Sequence, residues 1–518
     1  MKRSAVLLFF ASVMLGFQMH PPLFQEPVIP AKRESVKDFG AKGDTRVAHD
    51  GAIQSGSNVL TSASSAFSSA DLNKPVYIVG AGTNCSQARE APGCIASSGP
   101  LDTRITSITD SSHVVLADAA AMDVNDASVT VGTDDSRSIQ NAIDAVGRKG
   151  GGTVYFPAGV YRLAHGLTVE YSNVRLTGAG ATSVLFESNL IPYRSQESGG
   201  GHLEGGWAPV RAITVGKMHE TVSNIEIDNL QVKSNGDQLV FGSLGQSLIQ
   251  TGPNPSFKVT NFWLHHVTLT SSNYGLYSNG GMLDNFSIDH NVITEVPKNG
   301  IYLADGPTNG IVSDNQISTN IHPAGANYGI GLKGGNNLKI ANNTISGNLF
   351  ACIAGVEFPE TDVLVTHNRC LLGDAPNVAD GIVFDHGKNI VISDNEVQGY
   401  GSFGITFRGW DADISNVEIR RNKIHRGKRG AAISIVSTPA HKDNGPSNVT
   451  VTDNTLLENA SGVEALDIKG HNVIANNTIT ASDHKNANAL TIRTHPTGDL
   501  DCRSNKISNY RAPDAACK

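Results

Sequence analysis

Lys333, Glu357, Asp385, His386 and Arg408 are the residues whose types and spacing suit acid–base chemistry on a polymer. Each charge closes a short apolar run: Lys333 in "YGIGLKG", Glu357 in "IAGVEFP", Asp385 and His386 in "DGIVFDH", Arg408 in "FGITFRG". Their intervals are 24, 28 and 23 residues. If each interval is one turn of a stacked chain, the charges form a column with neighbours about 5 Å apart. Two chemistries fit such a column. In β-elimination, Lys333 or Arg408 takes the proton beside a uronate carboxylate, the other cation neutralises that carboxylate, and Glu357 with Asp385 binds calcium. In hydrolysis, Glu357 and Asp385 form an acid and nucleophile pair at the roughly 5–5.5 Å separation of a retaining glycosidase, with His386 tuning one of them. The bland reading is a ladder of salt bridges on a sheet face. Two cations bracketing the carboxylates suit an anionic substrate and favour elimination.

The flanking residues extend the same face. Tyr302 and Asp305 fall one turn before Lys333, and Tyr277 two turns before. Asp411 follows Arg408 at the next bend. Trp207, with Tyr193 and His202, lies in a long non-repeating stretch, 189–211, and an aromatic ring there suits a sugar-binding wall. A second such stretch is 234–256, and His441 belongs to a third. The basic run "RRNKIHRGKRG" at 420–430 either attracts an anionic polymer or is a solvated turn.

What must position these residues is a repeat. Asn recurs at 291, 315, 343, 368, 395, 422, 454, 477 and 505, every 23 to 32 residues. An apolar residue stands three positions before each, from Ile288 to Cys502, and another two positions after, from Ile293 to Ile507. Weaker copies run backwards through His265 with Val267 and Asp228 with Leu230. Short period-2 strands joined by polar turns at such a period predict a parallel β-solenoid. Its coils stack at roughly 4.8 Å. The Asn side chain then bonds the equivalent amides above and below, inside a buried corner. A further strand per coil puts Leu303, Leu332, Val356, Phe384, Phe407, Ile435, Ile468 and Ile492 inward. The next residues, Ala304, Lys333, Glu357, Asp385, Arg408, Val436, Lys469 and Arg493, then point outward.

The opening segments "VKDFGAKGD" (36–44), "GTDDSRSIQNAIDAV" (132–146), "GGGTVYFPAGVYRL" (150–163) and "NVRLTGAG" (173–180) resemble the start of pectate-lyase-like proteins with rhamnogalacturonase- and epimerase-type β-helices. Asp134 caps an amphipathic helix, Ile139/Ala142/Ile143/Val146, that plugs the first coil. The resemblance implies an all-β chain, a right-handed parallel β-helix of roughly a dozen coils. It implies the pectin lyase fold and carbohydrate metabolism, with a polysaccharide as partner. Relatives of this kind include lyases, hydrolases, epimerases and phage tailspikes. Segments 36–44 and 132–518 form the β-helix, and 45–131 reads as an inserted small β module. The paired-Asp signature of polygalacturonases and the "DPHE"-type signature of alginate epimerases are both missing from the coils.

Composition sets the bounds. The net charge of −8 argues against a general nucleic-acid binder. "MKRSAVLLFFASVMLGFQ" has two basic residues and a short apolar run, which predicts a signal peptide over about residues 1–22 and a secreted or periplasmic protein. No segment is apolar enough to predict a membrane span. Six cysteines fit an oxidising compartment. Cys85–Cys94 is the expected bond, Cys502–Cys517 is an open one, and Cys370 sits in an inward column as a core thiol. The expected function is therefore a secreted enzyme that cleaves glycosidic bonds in a uronate-containing polysaccharide. It is a polysaccharide lyase or a glycoside hydrolase, and a non-catalytic binding or adhesion solenoid is the competing reading.

Overall fold

A computed structural model describes residues 22–83, 99–194, 205–209, 211–235, 247–252, 258–278, 283–319, 326–347, 349–372, 379–409, 414–436, 445–511 and 517. The expected signal segment, Cys85 with Cys94, His202, Asp411 and His441 lie outside them.

Each coil contributes three strands. In one coil they are Asn299–Leu303, Thr308–Ser313 and Gln316–Thr319; in the next, Ala326–Leu332, Gly335–Ala341 and Thr344–Gly347. Like strands of successive coils pair in parallel, so Ile301 lies on Ile330, Val312 on Ile340 and Ile317 on Ile345. The third strands alone make a thirteen-stranded sheet. The inward side chains form one continuous core along the axis, from Val36 to Tyr510. The parallel β-helix expected from the period is the fold.

The Asn column is an internal ladder. Asn315, Asn343, Asn368, Asn395, Asn422 and Asn454 are buried. In each step the backbone N–H and the side-chain Nδ2 both donate to Oδ1 of the next Asn, at 2.9–3.0 Å. Nδ2 also donates to a strand carbonyl, as Asn368 does to Ile340 O at 2.9 Å. A bent corner cannot satisfy its own backbone, and the amide does so instead. The residue before each Asn turns the corner with a left-handed φ, for example +57° at Asp314 and +56° at His367, which Asn, Asp and His tolerate best. The ladder begins at Asn291: in the two preceding coils its place is taken by Val267 and Leu230, not by His265 and Asp228. The latter pair lies two positions earlier, on the outer face of the second strands.

A second, outer ladder had not been expected. Asn224, Asn261, Asn285, Asn309, Asn337, Asn389, Asn416 and Asn448 all take φ between +49° and +58° within the second strands. Asn416 donates to Asn389 at 2.9 Å and Asn448 to Asn416 at 3.0 Å. Its signal was in the chain: an Asn or Asp three residues before each inward apolar residue of that strand, as in "DNFSI" and "SNVEI".

A small residue marks the entry to each first strand. A Cβ on Gly275, Gly300, Gly329 or Gly404 would fall 2.4–2.7 Å from Ile293, Ile317, Ile345 or Ile424 of the third strand. In the coil 349–372 that same place holds Cys352, bonded to Cys370. Cys370 is thus half of a disulfide within that coil and not a free core thiol, because the glycine position was filled by a residue that can reach it. Cys502 bonds Cys517 over a separation of 15 residues. Cys517→Ser is expected to lower stability by about 3 kcal/mol, the loop-closure value for a ring of that size. Urea melts of the oxidised protein and the variant measure it.

Near the N-terminus, Arg46–Ile53, Val59–Thr61, Pro75–Ile78, Leu101–Ile108, His113–Leu116 and Val124–Val131 close into a small, mainly antiparallel barrel with its own core of Leu60, Val76, Ile78, Ile105 and Val129. It meets the β-helix where the Leu190 N–H donates to the Tyr77 hydroxyl at 2.8 Å. The plug helix runs Ser136–Gly147 and buries Ile139, Ala142, Ile143 and Val146. Asp134 accepts the Ser136 N–H at 3.0 Å, while the adjacent Asp135 accepts from Lys42 and Gly43.

Candidate functional site

The first strands carry the site. Their true inward column is Leu303, Leu332, Gly355, Phe384, Phe407, Ile435, Ala465 and Ile492. Val356 and Ile468 had been expected there. The outward position one step on holds Lys333, Val356, Asp385, Arg408 and Val436, each donating its N–H to the inward residue of the coil before at 2.9–3.1 Å. Glu357 is therefore not in the column. The corner from Gly355 to Glu360 is two residues longer than the corners Leu332–Gly335 and Phe384–Gly387. Glu357 and Phe358 fill that excess, Glu357 at φ +69°. The place of the strand-opening glycine is taken in this coil by Cys352. Lys469 also leaves the column, since Ser447 pairs with it on the second-strand sheet.

The slip does not take Glu357 away. Its Oε2 lies 2.7 Å from Lys333 Nζ, and Lys333 also sits 5.2 Å over the Phe358 ring. Two coils on, Arg408 bonds the buried carboxylate of Asp380. Asp380 also accepts the Phe403 N–H at 3.0 Å. Burial pushes Asp380 up to about 6 against the pull of Arg408 and that N–H. Asp385 lies between the two ion pairs. Burial raises it, opposed by Arg408 and His386 and reinforced by Glu357. Its Oδ1 is buried with no hydrogen-bond partner among the described residues. His386 is buried beside it. Behind them Glu360 is fully buried and shifted well upward, by burial first and then by Asp385.

Tyrosines continue the face toward the N-terminal coils. Tyr277 lies on Tyr302, and Tyr302 on Gly331, two residues before Lys333. A Cβ at Gly331 would come 2.6 Å from Tyr302 and 2.8 Å from Tyr328, so both rings lean over that glycine. Tyr328 and Asp380 were missed. Both stand one residue before the strand-opening glycine, a repeated position in "NYGIGL" and "ADGIVF" that alternation counted from the strand centre does not reach. Asp305 is half-buried at the corner after Tyr302. Trp207 is in a strand Gly205–Pro209 paired with Leu190–Arg194, opposite Pro192.

Other expected features separate from this group. In the basic run, Arg421 pairs with Asp394, and Lys423 and His425 pair with Glu396, on the third-strand side. That is the solvated-turn reading. Calcium at Glu357 and Asp385 fits poorly: Lys333 holds one carboxylate, Arg408 holds Asp380, and the ion asks for about 6–8 oxygens. A different group, Glu226, Asp228 and His265 on the second-strand face, has donor atoms within 4.8 Å of one another and is able to hold a metal ion. There Arg175 already bonds Asp228 at 2.7 Å and Glu226 at 3.2 Å. No helix among the described residues is long and apolar enough to cross a membrane.

The Asp380 shift makes a pH prediction. Above about 6 Asp380 is ionised and holds Arg408; as the pH falls through 6 it protonates and the pair is lost. Turnover is expected to fall on that acid side, and Asp380→Asn should remove the limb by lowering activity at neutral pH to the acid value. A pH–rate profile of both proteins checks it.

Comparison with known proteins follows the geometry. The family described as "Right handed beta helix region" matches residues 217–370, 248–424 and 327–479. The mannuronan C5-epimerase AlgE1 of Azotobacter vinelandii is 33% identical over 115 residues, 21% of this chain and 7% of that protein. Alginate lyase 7 of the same organism is 32% identical over 117 residues, 20% of this chain and 12% of that protein. The similarity thus spans about a tenth of these relatives' own lengths. The A-module of the A. vinelandii mannuronan C-5 epimerase AlgE6 superposes with a TM-score of 0.50 at 19% identity, over 74% of this chain and 96% of that one. That likeness is one of fold.

Proposed function

We propose, from the premise that this chain belongs to the right-handed β-helix family, that it is an exported enzyme which cleaves a uronate-containing polysaccharide by β-elimination. The observation that carries the reading is the junction on one face of a tyrosine row, the Lys333–Glu357 pair, the raised Asp385 and the Arg408–Asp380 pair. The apolar N-terminal run supports export. The relatives named above include an epimerase and a lyase of a polyuronate, and both chemistries begin by removing the proton next to the carboxylate.

The roles follow from charge and position. Arg408, held by Asp380, neutralises the substrate carboxylate and so acidifies the carbon beside it. Lys333 passes a proton to Glu357, whose Oε2 lies 2.7 Å from Nζ, and the neutral amine so formed takes the C5 proton. The C5–H pair becomes the C4–C5 double bond, and the C4–O4 bond breaks with its electrons on the leaving oxygen. Asp385, kept protonated more readily by burial, gives that oxygen its proton. His386 orients Asp385. No step requires calcium.

One observation favours hydrolysis as a second reading. Asp385 is raised in part by Glu357, and carboxylates pushed apart in acidity make an acid and nucleophile pair. The test is incubation with polymannuronate, polygalacturonate and neutral glucans in deuterated water. New reducing ends with unsaturated-uronate absorbance support elimination. Reducing ends alone support hydrolysis. Deuterium at C5 without new ends means the carbanion is reprotonated, as in epimerisation. If every polymer survives unchanged, the enzyme reading fails and the binding solenoid remains.

A further inference from the structure

The tyrosine row differs from an ordinary sugar-stacking platform, because its rings stack on one another. Tyr277 and Tyr302 have centroids 5.8 Å apart and planes 12° apart. Tyr302 and Tyr328 are at 6.4 Å and 23°. Tyr274 packs beside both, 4.9 Å from Tyr277 and 6.2 Å from Tyr302, and Phe350 meets Tyr328 edge-on at 6.3 Å. Tyr302 therefore has a ring on each face, and Tyr277 is packed by Tyr302 and Tyr274 together. Separations of this size leave no room for a sugar ring between them. What each half-buried tyrosine still offers outward is its edge.

That edge carries the hydroxyl. The phenolic oxygens of Tyr277, Tyr302 and Tyr328 make no hydrogen bond among the described residues, nor is any of them sealed from solvent. Burial first, and then Asp305, Glu357 and Asp385 respectively, raises all three, Tyr328 to about 12, so they stay protonated donors. Two cations are near the N-terminal end of the row: Arg211 acts on Tyr277, less than Asp305 does, and Lys298 lies 5.4 Å over the Tyr274 ring. A hydroxyl that stays protonated donates to an ionised carboxylate, the stronger class of hydrogen bond. The coil spacing of about 4.8 Å sets the repeat of the row.

We infer that Tyr277, Tyr302 and Tyr328 hold a polyuronate through their hydroxyls, not through their ring faces, as a line of donors one coil apart that leads the polymer axially to Lys333. This deepens the functional reading above and rests on it for the identity of the polymer. The two modes of holding part at one substitution. Tyr→Phe keeps every ring and the stack but removes the donor.

The experiment uses the full chain with oligomannuronates and oligogalacturonates of increasing length. Tyr277→Phe and Tyr302→Phe are each expected to raise KM roughly tenfold on oligomers long enough to reach them, the size of a hydrogen bond to a charged group. The kcat should hold, and the shortest oligomer that is cleaved should show no change. If the Phe variants match the native protein while Tyr277→Leu and Tyr302→Leu raise KM, the ring faces hold the sugar and the inference is overturned. If the native chain turns over neither oligomer, the functional reading fails separately. The row is then read by electrophoresis through gels cast with alginate or polygalacturonate. Retardation weakened in the Phe variants supports it, and equal mobility of native and variant proteins overturns it.

Discussion

Asp385→Asn is expected to lower turnover by roughly two to four orders of magnitude, the usual worth of a positioned general acid. The argument starts from what the carboxyl lacks. Among the described residues its Oδ1 is buried without a partner, while both neighbouring carboxylates are engaged, Glu357 by Lys333 and Asp380 by Arg408. Burial raises its pKa above 3.8, so the folded state binds a proton more tightly than the unfolded chain does. Stability from this group is then greatest below the unfolded value and falls as the pH rises through the folded one. At neutral pH the native protein bears that cost and the asparagine variant does not. The melting temperature of Asp385→Asn should hold or rise while activity collapses. Glu357→Gln should lose activity as well, through the relay to Lys333, with little change in melting because Glu357 is exposed. Activity comparable to the native protein in both variants would leave these charges as a surface ladder.

Asn368→Leu is expected to be the most damaging single change to the fold. Asn368 donates its N–H and its Nδ2 to Asn395 Oδ1 at 2.9 and 3.0 Å, and Nδ2 again to Ile340 O and Thr366 O at 2.9 and 3.1 Å. Its own Oδ1 accepts both donors of Asn343. Leucine keeps the branched shape and removes all of the side-chain bonds, leaving buried carbonyls and N–H groups with neither protein nor water. At about 1–3 kcal/mol for each orphaned group, a loss of about 3 kcal/mol or more is expected. Asn389→Ala, on the outer ladder, exposes its partners to water and should cost under about 1 kcal/mol. Urea midpoints of the two variants give the comparison. Equal shifts would mean that the inner ladder is no more than a surface ladder turned inward.

The residues of these two predictions were not equally legible. Asn368 was readable because its environment repeats. Every coil presents the same corner, so the same amide returns with apolar residues three before and two after, and local periodicity alone carries the fold. The outer Asn column was as regular and went unread, because each Asn is itself left-handed and breaks the alternation of its strand. Asp385 and Arg408 were found because their coils keep the standard corner length. Glu357 was placed wrongly by one step, since two extra corner residues leave no mark in an apolar–polar pattern already opened by Cys352 instead of glycine.

The chain's own pattern determined the strand period, the inward core, the inner amide ladder and the clustering of Lys333, Asp385 and Arg408 on one face. Only the tertiary structure decided which charge meets which. The Lys333–Glu357 and Arg408–Asp380 pairs and the ring stack that turns three tyrosine edges outward all depend on register between coils some two dozen residues apart, and the Cys352–Cys370 bond depends on how one coil closes on itself. A repeat specifies what each coil is. It does not specify how one irregular corner shifts its neighbours' side chains, because that shift is set by contacts across the stack and by no residue next to it in the chain.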